Sequence, residues 1–223
     1  MASPAPPSSL NRPGAGVGPN VFRSDYDRIL ALIPPQAQVL DLGCGDGQLL
    51  RRLTHERNAQ ACGVELNEEN VIRCVEQGLS AYQSNIDEGL AEYPDGAFDF
   101  VILNQTLQVL TRPREVMLEM LRVGRYGVVS FPNFAHWRIR LSFLSRGRMP
   151  KSDVLPFSWY DTPNIHLCTM LDFFDLCAQE GIEVIHGEYL IGGHWRMGTL
   201  AQRSANVLAA SGLFVITRPT PAR

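Results

Sequence analysis

Val39-Leu40-Asp41-Leu42-Gly43-Cys44-Gly45-Asp46-Gly47 is the stretch on which the fold of this chain turns. An apolar run carries an acid two residues before the first glycine, three glycines alternate with other residues, and a helical pattern begins at Gln48-Leu49-Leu50. The order is strand, tight turn, helix N-terminus, a geometry that brings a backbone close to a nucleotide-like ligand. Glycine suits such a turn because it tolerates positive φ and has no Cβ to hold a ligand away. The dinucleotide fingerprint G-x-G-x-x-G, begun at Gly43, needs its third glycine where Gln48 stands, so the motif here is G-x-G-x-G with an acid before it.

Working outward, strands and helices alternate. Leu49, Leu50 and Leu53 form the inner face of the helix after the turn. Ala61 to Glu65 reads as the next strand, and Glu65 ends it 22 residues after Gly43, about where a carboxylate on the neighbouring strand accepts hydrogen bonds from ribose hydroxyls. Asn67 caps a helix with Glu68 and Glu69 in its first turn and Val71, Ile72 and Val75 as its apolar face. Ser80 to Gln83 is a short strand, followed by Ser84-Asn85-Ile86-Asp87. Phe98 to Leu103 is an almost continuous apolar strand, with Asn104-Gln105-Thr106-Leu107 at its carboxyl end, where open α/β sheets place ligands. A helix from Pro113 to Gly124 precedes a strand at Tyr126 to Phe131, and Ile182–Tyr189 and Leu213–Thr217 read as the last two strands. Upstream, Tyr26, Ile29, Leu30 and Ile33 recur at helical spacing until Pro34-Pro35, giving a helix able to cover one edge of the ligand site. Residues 1–20, rich in Pro, Ala, Gly and Ser, are expected to be a flexible tail, and residues 21–223 a single α/β domain with a parallel, doubly wound sheet.

The glycine turn resembles the first motif of class I S-adenosylmethionine (SAM)-dependent methyltransferases. That resemblance implies a Rossmann-like, seven-stranded, mostly parallel sheet whose last strand is antiparallel and inserted between strands five and six. It implies SAM or S-adenosylhomocysteine (SAH) as cofactor, held by Asp41, Gly43, Cys44, Gly45 and Gly47, by Glu65 and Leu66, and by Asn104. Asp87 would meet the adenine amine and Ile86 would pack on the ring.

Composition narrows the class further. The chain has 223 residues, a formal net charge of −3 and no apolar run of membrane-spanning length. Nothing global asks for nucleic acid, and neither nucleic acid nor membrane is expected as a partner. Five cysteines, an odd number with no C-x-x-C pair, fit free thiols in a cytoplasmic protein. The histidines lack ligand spacing, so no metal site is expected.

The stretch from about 132 to 168 is an insert, long for a strand-to-helix connection. Between Glu119 and Asp153 there is no acid, while seven Arg or Lys occur. The blocks S-F-P-N-F-A-H-W-R-I-R, R-G-R-M-P and W-Y-D-T-P-N-I-H-L-C-T, with D-L-G-C-G-D-G, G-V-E-L-N-E-E-N and D-E-G-L, are similar to the MetW family of bacterial methionine biosynthesis over roughly Ser24 to Leu190. The resemblance implies an association with homoserine O-acyltransferase (MetX). It suggests a SAM- or SAH-binding partner of that enzyme, with Asn133, His136, Trp137, Arg138, Trp159, Tyr160, Asn164 and His166 as substrate or partner residues. The alternative is a stand-alone methyltransferase acting on a small molecule, for which His136 and His166 are the candidate bases. Against it, the Asn/Asp-Pro-Pro-Tyr loop of amine methylases is absent after strand four, and Val123-Gly124-Arg125-Tyr126-Gly127 replaces the usual Pro-Gly-Gly turn.

Overall fold

The computed structural model describes residues 19–152, 154–198 and 201–219, with residues 19–24 as backbone only. The expected tail lies outside these residues except for its last two, which already belong to a helix. The parallel strands are β1 (Gln38–Leu42), β2 (Gln60–Glu65), β3 (Ser80–Gln83), β4 (Phe98–Asn104) and β5 (Gly124–Pro132). They are followed by β6 (Glu183–Ile191), β7 (His194–Met197) and β8 (Ser211–Thr217). The sheet order is β3-β2-β1-β4-β5-β8-β6-β7. The helices are α1 (Pro19–Leu32), α2 (Gln48–Arg57), α3 (Glu68–Glu76), α4 (Pro113–Val123), α5 (Trp137–Arg146), α6 (Met170–Gln179) and α7 (Gln202–Leu208).

Alternation along the central strands explains why both faces are covered. Leu40, Leu42, Val101, Leu103, Val129 and Phe131 pack with Met117, Met120 and Phe173 from α4 and α6. Val39, Phe100, Ile102 and Val128 pack on the other face with Ile29, Ile33, Leu49 and Leu53 from α1 and α2. Period-two burial with apolar residues at both phases is what a doubly wound sheet requires. As expected, β8 runs antiparallel between β5 and β6, pairing Val129 with Phe214 and Tyr189 with Gly212.

The sheet has eight strands rather than seven. The additional strand, β7, folds back on β6 through Gly192-Gly193, whose φ values of +60° and +82° are those of a two-residue hairpin turn with both central residues left-handed. The Gly-Gly pair was the sequence signal for it. A second expectation is overturned at α3. Of its apolar residues Cys74 is the one fully buried, while Ile72 and Val75 are 49 % and 57 % exposed. This helix sits over the short outer strand β3, whose own residues are mostly exposed, so there is little core for a broad apolar face to meet.

One packing detail ties the sheet to the glycine turn. A Cβ added at Gly63 in β2 would lie 2.4 Å from Cys44 Sγ and 2.8 Å from Cys44 Cβ, so the Cys44 side chain occupies the space that Gly63 leaves. Cys44 is buried and its thiol pKa is pushed up by that burial and by Asp41, which suits a packing role. Gly63→Ala is expected to destabilise the protein by about 2 kcal/mol, because the turn rather than a flexible side chain must shift. Urea melts check this, and unchanged stability would disprove the contact.

Candidate functional site

The site begins where β1 ends. Gly43 and Cys44 donate to the Val64 carbonyl at 2.7 and 3.2 Å, and Gly47 donates to the Cys44 carbonyl at 3.1 Å, closing the turn before α2. Gly43, Gly45 and Gly47 all have positive φ, at +78°, +57° and +80°, where a side chain is strained. Their surroundings differ. A Cβ on Gly43 would meet Thr106 Oγ1 at 2.9 Å, and one on Gly47 would meet Cys74 Sγ and Leu79 Cδ1 at 2.8 Å. A Cβ on Gly45 would meet nothing within 4 Å. The outer two glycines serve close packing against the protein, and the middle one faces open space.

Glu65, at the end of β2, is only 1 % exposed. One carboxylate oxygen accepts the Gly45 N–H at 2.9 Å and the other accepts the Asn67 N–H at 2.8 Å. The glycine turn is thereby stapled to the start of α3, where the Asn67 side chain accepts from the Asn70 N–H. A carboxylate offers about four acceptor positions, so two remain. Asp41 lies buried nearby, and burial together with the Glu65 charge pushes its pKa up to about 7. Leu66, next to Glu65, is 43 % exposed and Ile86 is buried. The Asp87 carboxylate braces the loop before α4, accepting the Thr111 N–H at 3.0 Å and the Arg112 N–H at 2.9 Å.

The carboxyl end of β4 holds a polar network that the sequence did not reveal. Gln105, with φ +53°, donates through Nε2 to Asp25 at 3.0 Å, Ser130 Oγ at 3.2 Å and Ser211 Oγ at 3.3 Å. Ser130 in turn donates to Asn104 Oδ1. All of this is buried apart from Asn104, which is half-buried, and the second Asp25 oxygen and Gln105 Oε1 have no partner. Burial, opposed by the Gln105 hydrogen bond, pushes the Asp25 pKa up to about 8. Burial, followed by the charges of Asp41 and Asp46, raises the pKa of the next residue, Tyr26, and Asp27 of α1 pairs with Arg52 of α2 at 2.7 Å, which seats α1 against the helix that follows the glycine turn.

A second anchor holds α1. Arg28 donates to both oxygens of Glu188 on β6, and His186 Nε2 lies 3.0 Å from Glu188 Oε1. Burial works to raise the Glu188 pKa, but Arg28 and His186 outweigh it and hold the carboxyl below its usual range. Glu188 is 1 % exposed at the side chain and Arg28 37 %, so the two ends of the pair are not equivalent. Arg28→Ala is expected to cost about 3 kcal/mol, since it leaves a buried carboxylate with only His186. Glu188→Gln is expected to cost less, because Arg28 reaches water. Denaturant melts check the ordering, and the reverse order would refute it.

The insert residues separate into two groups. Asn133 is fully buried and holds the chain together: its Nδ2 donates to the Asn206 and Ala209 carbonyls at 2.9 and 2.7 Å, and its Oδ1 accepts the Ala135 N–H at 3.0 Å. His136 precedes α5, and burial followed by the Arg138 charge lowers its pKa. Trp137 is 43 % exposed and Trp159 and Tyr160 are each 75 % exposed, with Arg138 stacked 5.3 Å from the Trp137 ring centre. Asn164 lines a small apolar cavity that also touches Trp159, and its Oδ1 is buried without a partner. His166 donates its backbone N–H to Gln108 at 3.0 Å and lines an open cleft of about 260 Å³ with Leu107, Cys168, Phe173 and Leu176. The glycine turn, Asp41 and Glu65 therefore come together at the carboxyl edge of β1 and β2, and Asn104 stands at the same edge on β4. Trp159 and Tyr160 stand out in solvent. No cluster of three His, Cys, Asp or Glu that could hold a metal, and no helix long and apolar enough to cross a membrane, occurs among the described residues.

Comparison with known proteins agrees with this architecture. A SAM-dependent methyltransferase from Archaeoglobus fulgidus superposes with a TM-score of 0.65 at 16% identity, over 89% of this chain and 93% of the other. The magnesium protoporphyrin IX methyltransferase of Synechocystis, solved with bound SAH, gives 0.62 at 14% identity, over 88% and 83%. At this identity the likeness is one of fold. The bifunctional methionine biosynthesis protein MetXA/MetW of Rhodopirellula baltica is 37% identical over 169 residues, 72% of this chain. The matched part is 27% of that relative, so the chain spans about a quarter of its length. The family described as "Methionine biosynthesis protein MetW" matches residues 23–216, a wider span than the sequence blocks alone suggested. The chain belongs to the MetW family.

Proposed function

We propose that this chain holds SAM or SAH at the glycine turn and acts as an accessory subunit of a homoserine O-acyltransferase, MetX, supporting homoserine O-acylation. The observation that carries the first half is the open side of Gly45, a positive-φ position with no protein atom where a Cβ would stand, beside a buried carboxylate with acceptor positions left. Ribose hydroxyls are donors and suit Glu65. Ile86 would offer an apolar wall to the adenine, and Asp87, which already accepts the Thr111 and Arg112 N–H groups, would use its remaining acceptor capacity for the adenine amine. SAM, when bound, supplies a methyl group on a sulfonium centre with a neutral thioether as leaving group. The chain's own residues bind and orient it.

The second half is supported by the relative in which a MetW part and a MetXA part share one polypeptide. SAM is made from methionine, so its occupancy on this chain would report pathway output to an enzyme early in that pathway. Coupling requires that SAM change the partner affinity, with at least about a fivefold difference expected. The test is co-purification of the two proteins followed by acyltransferase assays with and without SAM. Equal affinity and equal rate in both conditions would reject the coupling, and failure to associate would reject the partnership.

A stand-alone methyltransferase is the second reading, favoured by the cleft of about 260 Å³ that His166 and Leu107 line at the ligand-side end of β4. Methyl-labelled SAM incubated with homoserine derivatives and cell extract tests it. Stoichiometric binding without label transfer would reject it.

A further inference from the structure

We infer that the outer face of α5 is the docking surface for the acyltransferase, inserted as a helix into an apolar groove edged by carboxylates. The inference rests on the partnership proposed above and adds the face and the mode of contact.

The helix is packed with its less apolar side inward. Ile139 is its one fully buried residue, in a small cluster with Val154, Leu155 and Leu190. Trp137, Leu141 and Leu144, at i, i+4 and i+7, form one stripe on the side away from Ile139. They are 43 %, 51 % and 86 % exposed. A surface helix normally turns such a stripe to its own core, so here the stripe is available to another molecule. Trp137, held beside the Arg138 guanidinium, is of the residue type that anchors interfaces.

Charge selects the occupant. Arg138 and Arg140 flank the stripe, and Arg146 and Arg148 follow it. No ion pair to a carboxylate engages any of these four among the described residues. The segment between Glu119 and Asp153 has no acid to answer them. A second copy meeting this face about a twofold axis would set arginines against arginines with no carboxylate between. A heterologous partner with an acidic rim removes that repulsion, and the helix-in-groove mode reads anchors at this spacing. In the relative that carries both MetXA and MetW parts on one polypeptide the two are held at high effective concentration, which supports the acyltransferase as the occupant of this face.

The test measures binding of the purified acyltransferase of the same organism to the full chain by calorimetry, and the chain's own mass by sedimentation. The Leu141→Glu/Leu144→Glu variant is compared with Ile72→Glu, which places the same change on exposed α3. Both sites are exposed, so thermal melts should match the parent. Expected is a loss of about 100-fold in affinity for the α5 variant and less than about threefold for the control. Arg138→Glu/Arg140→Glu should slow association about tenfold at low salt. If the parent chain binds and the α5 variant binds equally well, this face is wrong and the partnership stands. If the parent chain does not bind, the proposed function fails and the docking face with it. A parent chain that is a dimer alone and becomes a monomer on Leu141→Glu/Leu144→Glu assigns the face to self-association and overturns the inference.

Discussion

Glu65→Ala is expected to abolish measurable SAH binding and to lower stability by about 2–4 kcal/mol at once. The carboxylate does two things that no neighbour can take over. It receives the Gly45 and Asn67 N–H groups, and alanine would leave both donors unpaired beside a cavity. In the proposed site it would also offer its remaining acceptor positions to the ligand. Glutamine is not a safe substitute, because its NH₂ would face one of the two N–H groups, donor against donor. Gly45→Val separates the effects. That variant keeps the carboxylate and adds a β-branched side chain at φ +57°, in the space that no protein atom occupies. It should lose SAH by at least about 100-fold, with about 1–3 kcal/mol of backbone strain. Calorimetric titration with SAH, with urea melts of each variant, reads both quantities. Ligand affinity retained in both variants would remove the glycine turn as the binding site.

The second large effect concerns Asp25 and pH. Its folded pKa of about 8 lies far above the 3.8 of an unburied aspartate, because burial disfavours the charged form. The sign follows from proton uptake: between these values the folded state holds a proton that the unfolded state has released. The stability associated with Asp25 is therefore fully present below about pH 4, falls as pH rises, and is gone above about pH 8. At pH 7 the loss is on the order of 4 kcal/mol. Asp25→Asn removes the titration and offers an amide whose oxygen accepts from Gln105 Nε2 and whose NH₂ can satisfy Gln105 Oε1, which lacks a partner. The variant should match the parent near pH 4 and exceed it increasingly toward pH 8. Melts at several pH values decide it, since a constant difference across the range would mean that Asp25 does not titrate there.

Much of the fold was legible because its signals are local. Asp41-Leu42-Gly43-Cys44-Gly45-Asp46-Gly47 was readable as a turn since only glycine adopts those φ values cheaply, and all three glycines do adopt them. The Asn67 cap was likewise readable, being satisfied within one turn of helix. Where local pattern misled, the neighbourhood was missing. Val71, Ile72 and Val75 promised a buried face for α3, yet the short edge strand beneath offers too little apolar surface to bury them. Asn133 was placed with the partner residues by its company in the insert, whereas its three short hydrogen bonds tie that loop to Asn206, Ala209 and Ala135. Neither the network at the end of β4 nor the separate Arg28–Glu188 anchor had a sequence signal: Asp25 and Gln105 are 80 residues apart and Arg28 and Glu188 are 160 apart. Each of these residues alone looks like an ordinary surface polar group.

The sequence by itself determined the alternation of strands and helices, the glycine turn with Glu65 at the neighbouring strand end, and membership of the MetW family. Periodicity, propensity and φ preference act over a few residues and need no partner. The tertiary structure decided the eighth strand, which of the three glycines faces open space, how α1 is fastened over the site, and that the apolar stripe of α5 is turned outward. These depend on what a side chain finds after chain segments far apart have met. Burial and hydrogen-bond completion, rather than local preference, choose among the possibilities.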